Sequence, residues 1–424
     1  MDFVEIINWA NEKVKELLKT NTKKRFTEEI VGNKDLDNFL YHCDNISAIL
    51  DLLDKGYGAQ LDLVYLDPPF FTNLSFYSKA EIHLDKTPYT IEYLDYNDVW
   101  NKDLEEFLKA LTIRLILIGK LLSDKGSIYV HLDFRAVHYV KIIMDNIYGK
   151  DNFINEIIWS YKSGGSSKRY FSRKHDTILF YSKTKDYIFN PGKGKSYNRD
   201  YKPYGFKNVV EYEDEKGWYT LVNYRDVWDI SMVGRTSGER LDYRTQKPEK
   251  LMERIILSSS NEKSIVADFF AGSGTTLAVA NRYNRRWIGC DNSKTSIYTI
   301  MNRINRNAYG LFYKEENKNR LKFVKDMYEE GIEITLKDYI FDTSSIRDKD
   351  KKLIESLFKI NSLYLIDYIC LGYEASKDII VYEYGNLKGH LEANNKKFFP
   401  LNVEHTAIYI KSIDIFGNIY KELM

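Results

Sequence analysis

One stretch constrains the fold of this 424-residue chain more than any other, the residues 61–72, which are LDLVYLDPPFFT. Its first half is a run of apolar, β-branched and aromatic side chains, which is typical of a buried strand. Pro68 and Pro69 end the run, because proline has no N–H to donate to a neighbouring strand. Asp67 is therefore predicted at the carboxyl end of a strand, followed by a rigid turn and the ring of Phe70. In open α/β sheets, that edge is where ligands bind. The stretch alone is equally compatible with a strand, a capping Asp and a tight turn without chemistry.

Further apolar runs alternate with amphipathic segments along the first three quarters of the chain. Strands are predicted at 127–132, 154–161, 176–182, 264–267 and 287–290. Helices are predicted at 3–19, 46–53, 104–122, 137–147, 249–258 and 277–282, with Asp44 or Asn45 as the N-cap of the second. Strands that alternate with amphipathic helices predict a doubly wound α/β sheet.

A second motif lies at residues 265–276, IVADFFAGSGTT, where a strand enters a glycine-containing turn before a helix. Glycines at such a turn let the backbone approach a ligand closely. The GxGxxG fingerprint is incomplete, because Leu277 stands where its third glycine would fall, so a dinucleotide pyrophosphate is not favoured. Asp291 ends the next strand about twenty residues on, where an acid can accept both hydroxyls of a ribose. The pattern favours a nucleoside cofactor without a pyrophosphate, and S-adenosylmethionine is the candidate.

The candidate cofactor-binding residues come from this motif, from the acid after the next strand and from the start of the preceding helix. They are Asp268, Phe269, Phe270, Gly272, Ser273, Gly274, Thr275, Asp291, Gln246 and Lys247. Pro248 suits the first turn of the helix at 249–258, because its fixed backbone angle is already helical. The N-terminus of that helix could meet a carboxylate of the cofactor. A simple helix-start role for Gln246 and Lys247 is an equal alternative.

A basic and aromatic segment separates the two motifs. Residues 160–207 hold twelve basic and three acidic side chains, with tyrosines and phenylalanines interleaved. Such a mixture suits phosphates and stacked bases, although a solvated surface region would have a similar composition. We interpret 161–240 as an insertion, and the strand at 176–182 inside it is a candidate member of the sheet. The candidate contacts to a nucleic acid are Lys162, Lys168, Arg169, Arg173 and Lys174.

Two other segments complete the predicted organisation. Residues 72–97 are polar and aromatic, and we expect a long loop there that covers the site. The tail at 311–424 has predicted helices at 318–330 and 349–360, and alternating runs at 379–384 and 407–413. It is expected to be a small α+β domain, and no spacing in it is typical of a catalytic motif.

Composition limits the class of protein. Hydrophobic residues make up 44% of the chain and charged residues 29%, which is typical of a soluble globular protein. The three cysteines are too few and too scattered for a disulfide framework or a zinc cluster, and they fit a reducing cytoplasm. No signal peptide or bilayer-spanning stretch is predicted. The net charge of +1 hides the basic segment, so it does not exclude a polyanionic partner.

The combination of DPPF and DFFAGSGTT, with a basic insertion between them, resembles the amino-methyltransferases of DNA. The catalytic motif precedes the cofactor motif, which is the order of the β group of that family. The stretches HCDNISAILDLL, TQKPEKLMERII and RRWIGCD resemble the group's flanking motifs, so the resemblance covers about residues 40–308. YLDPPF is most similar to the Mod-type adenine methyltransferases of restriction–modification systems. Those enzymes usually continue NTG, where this chain has Phe71-Thr72-Asn73, and His42-Cys43 replaces the usual residue before Asp44.

The resemblance implies a mostly parallel, seven-stranded methyltransferase sheet with a circularly permuted motif order. It implies a catalytic half at 1–160, a target-recognition insertion at 161–240, a cofactor half at 241–310 and a C-terminal domain at 311–424. Double-stranded DNA is the implied partner, in a prokaryotic or phage cytoplasm, and a homodimer and a restriction subunit are left open. S-adenosylmethionine is the implied methyl donor, and no metal is required.

The implied reaction is methylation of the N6 amine of a flipped-out adenine. The amine is a poor nucleophile, because its lone pair is delocalised into the ring. The Asp67 carboxylate and the Pro68 carbonyl could accept its two hydrogens, Pro69 would keep both acceptors rigid, and Phe70 could stack on the base.

Three other functions stay open from the sequence. Cytosine-N4 methylation uses the same chemistry at an exocyclic amine. An RNA or protein amine methyltransferase would need the same acceptors. A non-catalytic DNA-binding specificity subunit would keep the fold but not the chemistry. His131, His138 and His175 have no partner pattern, and no role is predicted for them.

Overall fold

A computed structural model describes residues 1–20, 26–31, 38–84, 87–100, 103–162, 166–241, 243–304, 309–313, 320–328, 330–376, 379–386, 396–400 and 408–423. The helices are α1 Phe3–Lys19, α2 Asn45–Asp54, α3 Leu104–Leu121, α4 Val137–Tyr148, α5 Glu249–Ser259, α6 Thr275–Arg282, α7 Lys294–Ile304 and α8 Asp348–Asn361. The strands are β1 Thr27–Val31, β2 Phe39–His42, β3 Leu61–Leu66, β4 Leu74–Leu84, β5 Thr87–Asp98, β6 Leu122–Leu132, β7 Phe153–Ser160, β8 His175–Ser182, β9 Lys193–Tyr197, β10 Glu211–Asp214, β11 Gly217–Asn223, β12 Val227–Asp229, β13 Ile265–Asp268, β14 Arg286–Asp291, β15 Tyr309–Tyr313, β16 Arg320–Tyr328, β17 Gly331–Ile340, β18 Ile366–Ser376, β19 Ile379–Asn386, β20 Lys396–Pro400, β21 Ile408–Asp414 and β22 Ile419–Leu423.

Seven neighbouring strands form the core of the main sheet, in the order β7-β8-β6-β3-β13-β14-β2. All of them run parallel except β8, which is antiparallel to both β6 and β7. The predicted doubly wound, mostly parallel seven-stranded sheet is therefore confirmed. The strand at 176–182, inside the predicted insertion, corresponds to β8 and belongs to this sheet.

The central strand β3 is apolar almost throughout because helices cover both of its faces. Val64 and Leu66 belong to one buried cluster together with side chains of α1, α2, α3 and α4. Leu63 and Tyr65 belong to the opposite cluster, with side chains of α5, α6 and α7. Alternate residues of the strand therefore pack on opposite helical layers, and the prolines that follow it end the pairing.

Helix starts and strand ends are set by local signals in the sequence. The Asp44 side chain accepts a hydrogen bond from the backbone N–H of Ile46 at 3.0 Å, so Asp44 is the N-cap of α2, one of the two caps predicted. Asp268 and Asp291 are the last residues of two adjacent parallel strands, and Asp67 follows the last residue of a third. Because carboxyl ends of parallel strands share an edge, the three acids lie together.

Residues 72–97 differ from the prediction of a loop. They contain β4 and most of β5, which pair antiparallel to each other from Leu74↔Asp98 to Leu84↔Thr87. Ala80, Ile91 and Tyr93 are buried against apolar side chains of the C-terminal region, and the last two are alternate residues of β5. Apolar residues alternate here with a period of two, but the segment is polar overall, so the sequence did not indicate a strand. The alternation matters because these side chains pack on the C-terminal region.

The predicted helix at 318–330 is also wrong. Its described part is mostly the strand β16, which pairs antiparallel with β17. Leu321 is buried and Phe323 packs beside it in the C-terminal cluster, so one face of the strand is apolar at period two. Residues 318, 319 and 329 lie outside the described residues. The helix predicted at 349–360 is confirmed as α8.

The C-terminal strands continue the main sheet beyond β2. β15 pairs with β2, β1 joins β15 to β19, and β18, β21 and β22 follow. β12 pairs parallel with β7 at the opposite edge, which makes fourteen strands in the described residues. The predicted domain boundaries stay a prediction. In the described parts of the chain, no helix is long and apolar enough to cross a membrane.

Candidate active site

A cavity of about 660 Å³ opens at the carboxyl edge of the core sheet and brings the two sequence motifs together. All four residues of the DPPF motif line it. The cofactor candidates that line it are Lys247, Asp268, Phe269, Phe270, Gly272, Ser273, Thr275 and Asp291. A volume between about 300 and 1,000 Å³ is usual for a small-molecule site.

The Asp67 carboxylate has two different oxygens. Oδ2 forms an ion pair with Nζ of Lys247, and the Lys247 and Asp67 side chains are 14% and 17% exposed. Oδ1 is buried and has no hydrogen-bond partner in the described residues. An unsatisfied carboxylate oxygen is costly when it is buried, so it is a candidate acceptor for a ligand's hydrogen.

A buried histidine lies behind this carboxylate. His131 is fully buried on β6, with Nδ1 2.7 Å from the hydroxyl of Tyr65 and 4.0 Å from Asp67 Oδ1. Burial, together with the charge of Asp67, raises the pKa of Tyr65 well above its ordinary value. The phenol therefore keeps its proton, its hydroxyl shares one hydrogen bond with Nδ1 of His131, and Nε2 of the imidazole faces Asp176.

Asp176 completes this network on β8. His131 Nε2 lies 3.3 Å from Asp176 Oδ2, and the hydroxyl of Tyr161 donates to Oδ1 at 3.2 Å. Burial alone would raise the pKa of Asp176, but the hydrogen bond from His131 and the charges nearby outweigh it, and the pKa lies below its ordinary value. Asp176 therefore stays ionised and fixes the orientation of the imidazole.

The glycine turn of the second motif needs backbone that other residues rarely adopt. Gly272 and Gly274 have φ of +50° and +71°, in the left-handed region. A Cβ at Gly274 would lie 2.7 Å from Cγ1 of Ile300, so a larger residue would also clash with α7. The turn brings the N–H of Gly272 within 2.8 Å of Asp291 Oδ2.

Asp268, which ends β13, is buried, and Asp291, which ends β14, is half-buried, and loss of solvent changes the titration of both. Burial raises the pKa of Asp268 to about 7, although Thr276 and the N–H of Phe270 donate hydrogen bonds to it. Burial raises the pKa of Asp291 to about 6, against hydrogen bonds from the N–H groups of Ser293 and Gly272. Nearby carboxylates add to both shifts, because each negative charge in the cavity disfavours the ionisation of another acid.

The turn that follows the DPPF motif is held by a buried acid. Asp98 Oδ2 accepts hydrogen bonds from the N–H and the hydroxyl of Thr72, both at 2.6 Å, and Oδ1 accepts one from Trp100 Nε1 at 2.7 Å. Phe71 and Asn73 have φ of +60° and +55° on either side of Thr72. The hydrogen bonds of Asp98 and these backbone angles form a tight turn after Phe70, where Phe71-Thr72-Asn73 stands in place of NTG.

The hairpin of β4 and β5 lies over the cavity. Phe76, Leu94 and Tyr96 of the hairpin line it. The hydroxyl of Tyr93 is 2.8 Å from Thr295 Oγ1 on α7, and Ser293 donates a hydrogen bond to Asp95. Because these contacts join the hairpin to residues next to Asp291, the hairpin and the cofactor side of the cavity form one wall.

The comparison with known families decides the class of protein. The profile of the N6/N4 family described as DNA methylase matches residues 61–302, more than half of the chain. The chain belongs to this DNA methylase family. The match begins at β3 and ends in α7, so it includes both motifs and every strand between them. The predicted resemblance to DNA amino-methyltransferases is confirmed.

Curated relatives agree with this family. Type II methyltransferase M1.MboII of Moraxella bovis is 31% identical over 258 residues, which are 57% of this chain and 88% of that protein. DNA adenine methyltransferase YhdJ of Escherichia coli (strain K12) is 29% identical over 245 residues, which are 56% and 74% of the two chains.

Solved structures show a more distant likeness. The crystal structure of the M1.HpyAVI–SAM complex is 20% identical with a TM-score of 0.42, and it covers 63% of this chain and 98% of that chain. The cytosine-N4-specific PvuII DNA methyltransferase is 18% identical with a TM-score of 0.42, and covers 64% and 87%. Scores of this size establish neither fold nor function, and the fold of the methylase rests on its own strand order.

Some predicted residues of the methylase lie outside the cavity lining. Gly274 forms the N-terminus of α6 behind it. Gln246 is buried and is used within the chain, because it accepts from the N–H of Leu241 and donates to the carbonyl of Glu239. Lys247 lines the cavity, but its observed partner is Asp67. That these three residues contact the cofactor stays a prediction.

The five predicted DNA contacts lie together on the loop between β7 and β8. Lys168, Arg169 and Arg173 are exposed there. Lys174 Nζ donates to the carbonyl of Lys162 at 3.0 Å, which closes the base of the loop. The structure therefore groups these cations beside the carboxyl end of β7, and their contact with DNA stays a prediction.

The sequence did not predict three residues of the network behind Asp67, namely Tyr65, His131 and Asp176. His131 lies inside the apolar run YVHL, one residue before the end of β6, and a histidine in such a run is a weak signal. Its partners come from strands that are adjacent only in the folded sheet, so pairing order was needed to find them.

Proposed function

We propose that this methylase transfers a methyl group from S-adenosylmethionine to the N6 amine of an adenine in a specific site of duplex DNA. One observation carries the proposal. Among the described residues, Oδ1 of Asp67 has no hydrogen-bond partner, and Asp67 lies in a cavity that also contains the glycine turn and Asp291. Such a cavity can hold an acceptor for the amine and a site for the donor within reach of one another.

The residues of the cavity fit a cationic nucleoside better than a phosphate-bearing one. Asp67, Asp268 and Asp291 line it, and Lys247 is already paired with Asp67. Carboxylates repel a pyrophosphate and attract a sulfonium. Asp291 would accept hydrogen bonds from ribose hydroxyls, and the aromatic lining suits the adenine of the donor. When bound, S-adenosylmethionine supplies an activated methyl group.

The acceptor side of the reaction follows from the DPPF turn. Asp67 Oδ1 and the carbonyl of Pro68 would accept the two hydrogens of the target amine, which turns its lone pair toward the donor. Lys247 on Oδ2 holds the carboxylate in one orientation, and the buried His131 lies behind it with Nδ1 4.0 Å from Oδ1. The catalytic effect would then come from preorganised acceptors and from alignment of the two substrates.

The target base must leave the duplex to reach this cavity. Phe70 lines the cavity, and its ring is supported by His131 at a centroid distance of 5.7 Å. A stacked base on such a ring gains about 1–3 kcal/mol. We therefore assign Phe70 the role of stacking on the flipped base, as predicted from the sequence.

Adenine is proposed over cytosine on two grounds, the YLDPPF motif and the similarity to DNA adenine methyltransferase YhdJ. A direct test is to incubate the protein with duplex DNA and isotope-labelled S-adenosylmethionine, digest the DNA and identify the labelled nucleoside by mass. N6-methyladenine is expected. N4-methylcytosine would replace the proposal by its alternative, and label in neither would contradict both.

Specificity and partners can be tested on the same DNA. Sequencing of modified bases in DNA treated with the protein would give the recognition site, and a random distribution would contradict site specificity. Co-expression with adjacent genes would test the proposed place in restriction–modification. A homodimer and a restriction subunit stay predictions.

A further inference from the structure

The loop between β7 and β8 presents one fully exposed aromatic ring. Phe171 is 98% exposed, more than any other large hydrophobic side chain in the described residues. Single exposed hydrophobic side chains are common on proteins, so exposure alone has no functional meaning. The surroundings of this one are unusual, because it is flanked by cations on a loop next to the candidate active site.

The position of the loop is fixed by contacts on both sides of Phe171. The Arg173 guanidinium lies 3.9 Å from the ring centroid of Phe134 and 4.9 Å from that of Tyr170. Phe134 is the second residue after β6, the strand that pairs with β3 next to Asp67. The N–H of Tyr161 donates to the carbonyl of Lys174 at 3.0 Å, which continues the β7–β8 ladder to the base of the loop.

The positive charge on the loop favours a polyanionic partner. Lys168, Arg169 and Arg173 are exposed within three residues of Phe171. Cations at such spacing can hold phosphates of a duplex, and an aromatic ring among them can stack on a base. Arg173 lies over the ring of Tyr170, the residue before Phe171. Of these two aromatic residues, Phe171 is therefore the one available to enter DNA.

A flipped base leaves a gap in the duplex, and the neighbouring bases lose stacking. We propose that Phe171 enters the duplex beside the target base and fills this gap while the base occupies the cavity. Lys168 and Arg169 would hold the backbone on either side. This inference rests on the proposed function, since it requires duplex DNA and an extruded base.

The test compares two duplexes that contain the recognition site found by sequencing. One is fully paired, and the other has an abasic residue opposite the target, which lowers the cost of extrusion. Phe171→Ala should lower kcat/KM roughly 5- to 150-fold on the paired duplex, the effect of losing one stacked ring. The loss should shrink to roughly twofold or less on the abasic duplex, since base extrusion is less costly there. Phe171→Trp should retain most activity on both.

Phe206→Ala is the matched control, because Phe206 is a 63%-exposed phenylalanine elsewhere in the insertion. Its effect, if any, should be the same on both duplexes. Equal losses for Phe171→Ala on the two duplexes, or no loss on the paired one, would overturn the inference. So would a change of oligomeric state in sedimentation, which would make Phe171 a contact between copies. Failure of the wild-type protein to methylate either duplex would instead contradict the proposed function.

Discussion

The ammonium of Lys247 pairs with Oδ2 of Asp67, and Oδ1 of the same carboxylate has no hydrogen-bond partner in the described residues. One side chain from the helix start that follows the insertion therefore holds the acid of the DPPF turn. The sequence placed Lys247 among the cofactor contacts, and the structure gives it a partner on the acceptor side. The two roles predict different kinetics.

Lys247→Gln should lower kcat about 10- to 100-fold, because a hydrogen bond to a charged group contributes about 1.5–3 kcal/mol. The KM for S-adenosylmethionine should change little, since the partner of Lys247 is Asp67. Lys250→Gln, an exposed position in the first turn of α5 three residues later, is the control. A large rise in the KM for the donor with unchanged kcat would show that Lys247 acts on the cofactor.

Asp291→Asn should weaken S-adenosylmethionine binding about tenfold or more, because an amide cannot accept from both backbone donors and the ribose. Burial raises the pKa of Asp291 to about 6, so the affinity of the wild-type protein should fall as the pH drops through 6. Calorimetric titration between about pH 5 and 8 would measure this on both proteins. An unchanged affinity in the variant would contradict the ribose role.

Asp268 should give the free protein a stability that depends on pH. Burial raises its folded-state pKa to about 7, from 3.8 in an unfolded chain. Its contribution to the free energy of unfolding is therefore full below pH 3.8 and is lost as the pH rises through 7. Asp268→Asn should remove a slope approaching about 1.4 kcal/mol per pH unit in that window. Urea unfolding at several pH values would show it, and parallel curves for the two proteins would contradict it.

The C-terminal region should affect the cavity through the hairpin. Arg347 Nη1 lies 2.6 Å from Glu92 Oε2, and its guanidinium is 3.6 Å from the ring centroid of Tyr77. Arg347→Ala should loosen the hairpin and raise the KM for S-adenosylmethionine a few-fold, about 0.5–1 kcal/mol. Lys349→Ala is the control, because Lys349 pairs with the same Glu92 at 2.9 Å but is 60% exposed and makes no stacking contact that the structure describes. Equal KM values for both variants would show that Arg347 does not position the hairpin.

The sequence predicts those elements of the structure that local residues determine, and not those that depend on contacts between distant segments. The strand before Asp67 and the glycine turn were predictable, because prolines and glycines limit the backbone locally. The helices α1 and α3 followed from apolar spacing, and α5 followed from the start signal at Pro248. The hairpin at 74–98 and the strand β16 were not predictable, since their apolar faces have meaning only against the C-terminal cluster.

The site was predictable to a similar degree. Asp67 and Asp291 could be placed at one edge, because both lie at the carboxyl ends of parallel strands. The network of Tyr65, His131 and Asp176 could not, since it joins β3, β6 and β8, which are neighbours in the sheet although β4, β5 and β7 separate them in the chain. For the same reason the sequence could not pair Lys247 with Asp67, 180 residues away.

The central claim is that Asp67 acts on the target amine and not on the cofactor. The most direct measurement is labelled methyl transfer to duplex DNA by Asp67→Ala and Asp67→Asn, with S-adenosylmethionine affinity measured on the same preparations. Transfer should fall to below about 1% of the wild-type rate, the scale of losing one preorganised electrostatic contact, while the affinity for the donor stays within a few-fold. Loss of donor binding, or transfer at the wild-type rate, would contradict the account.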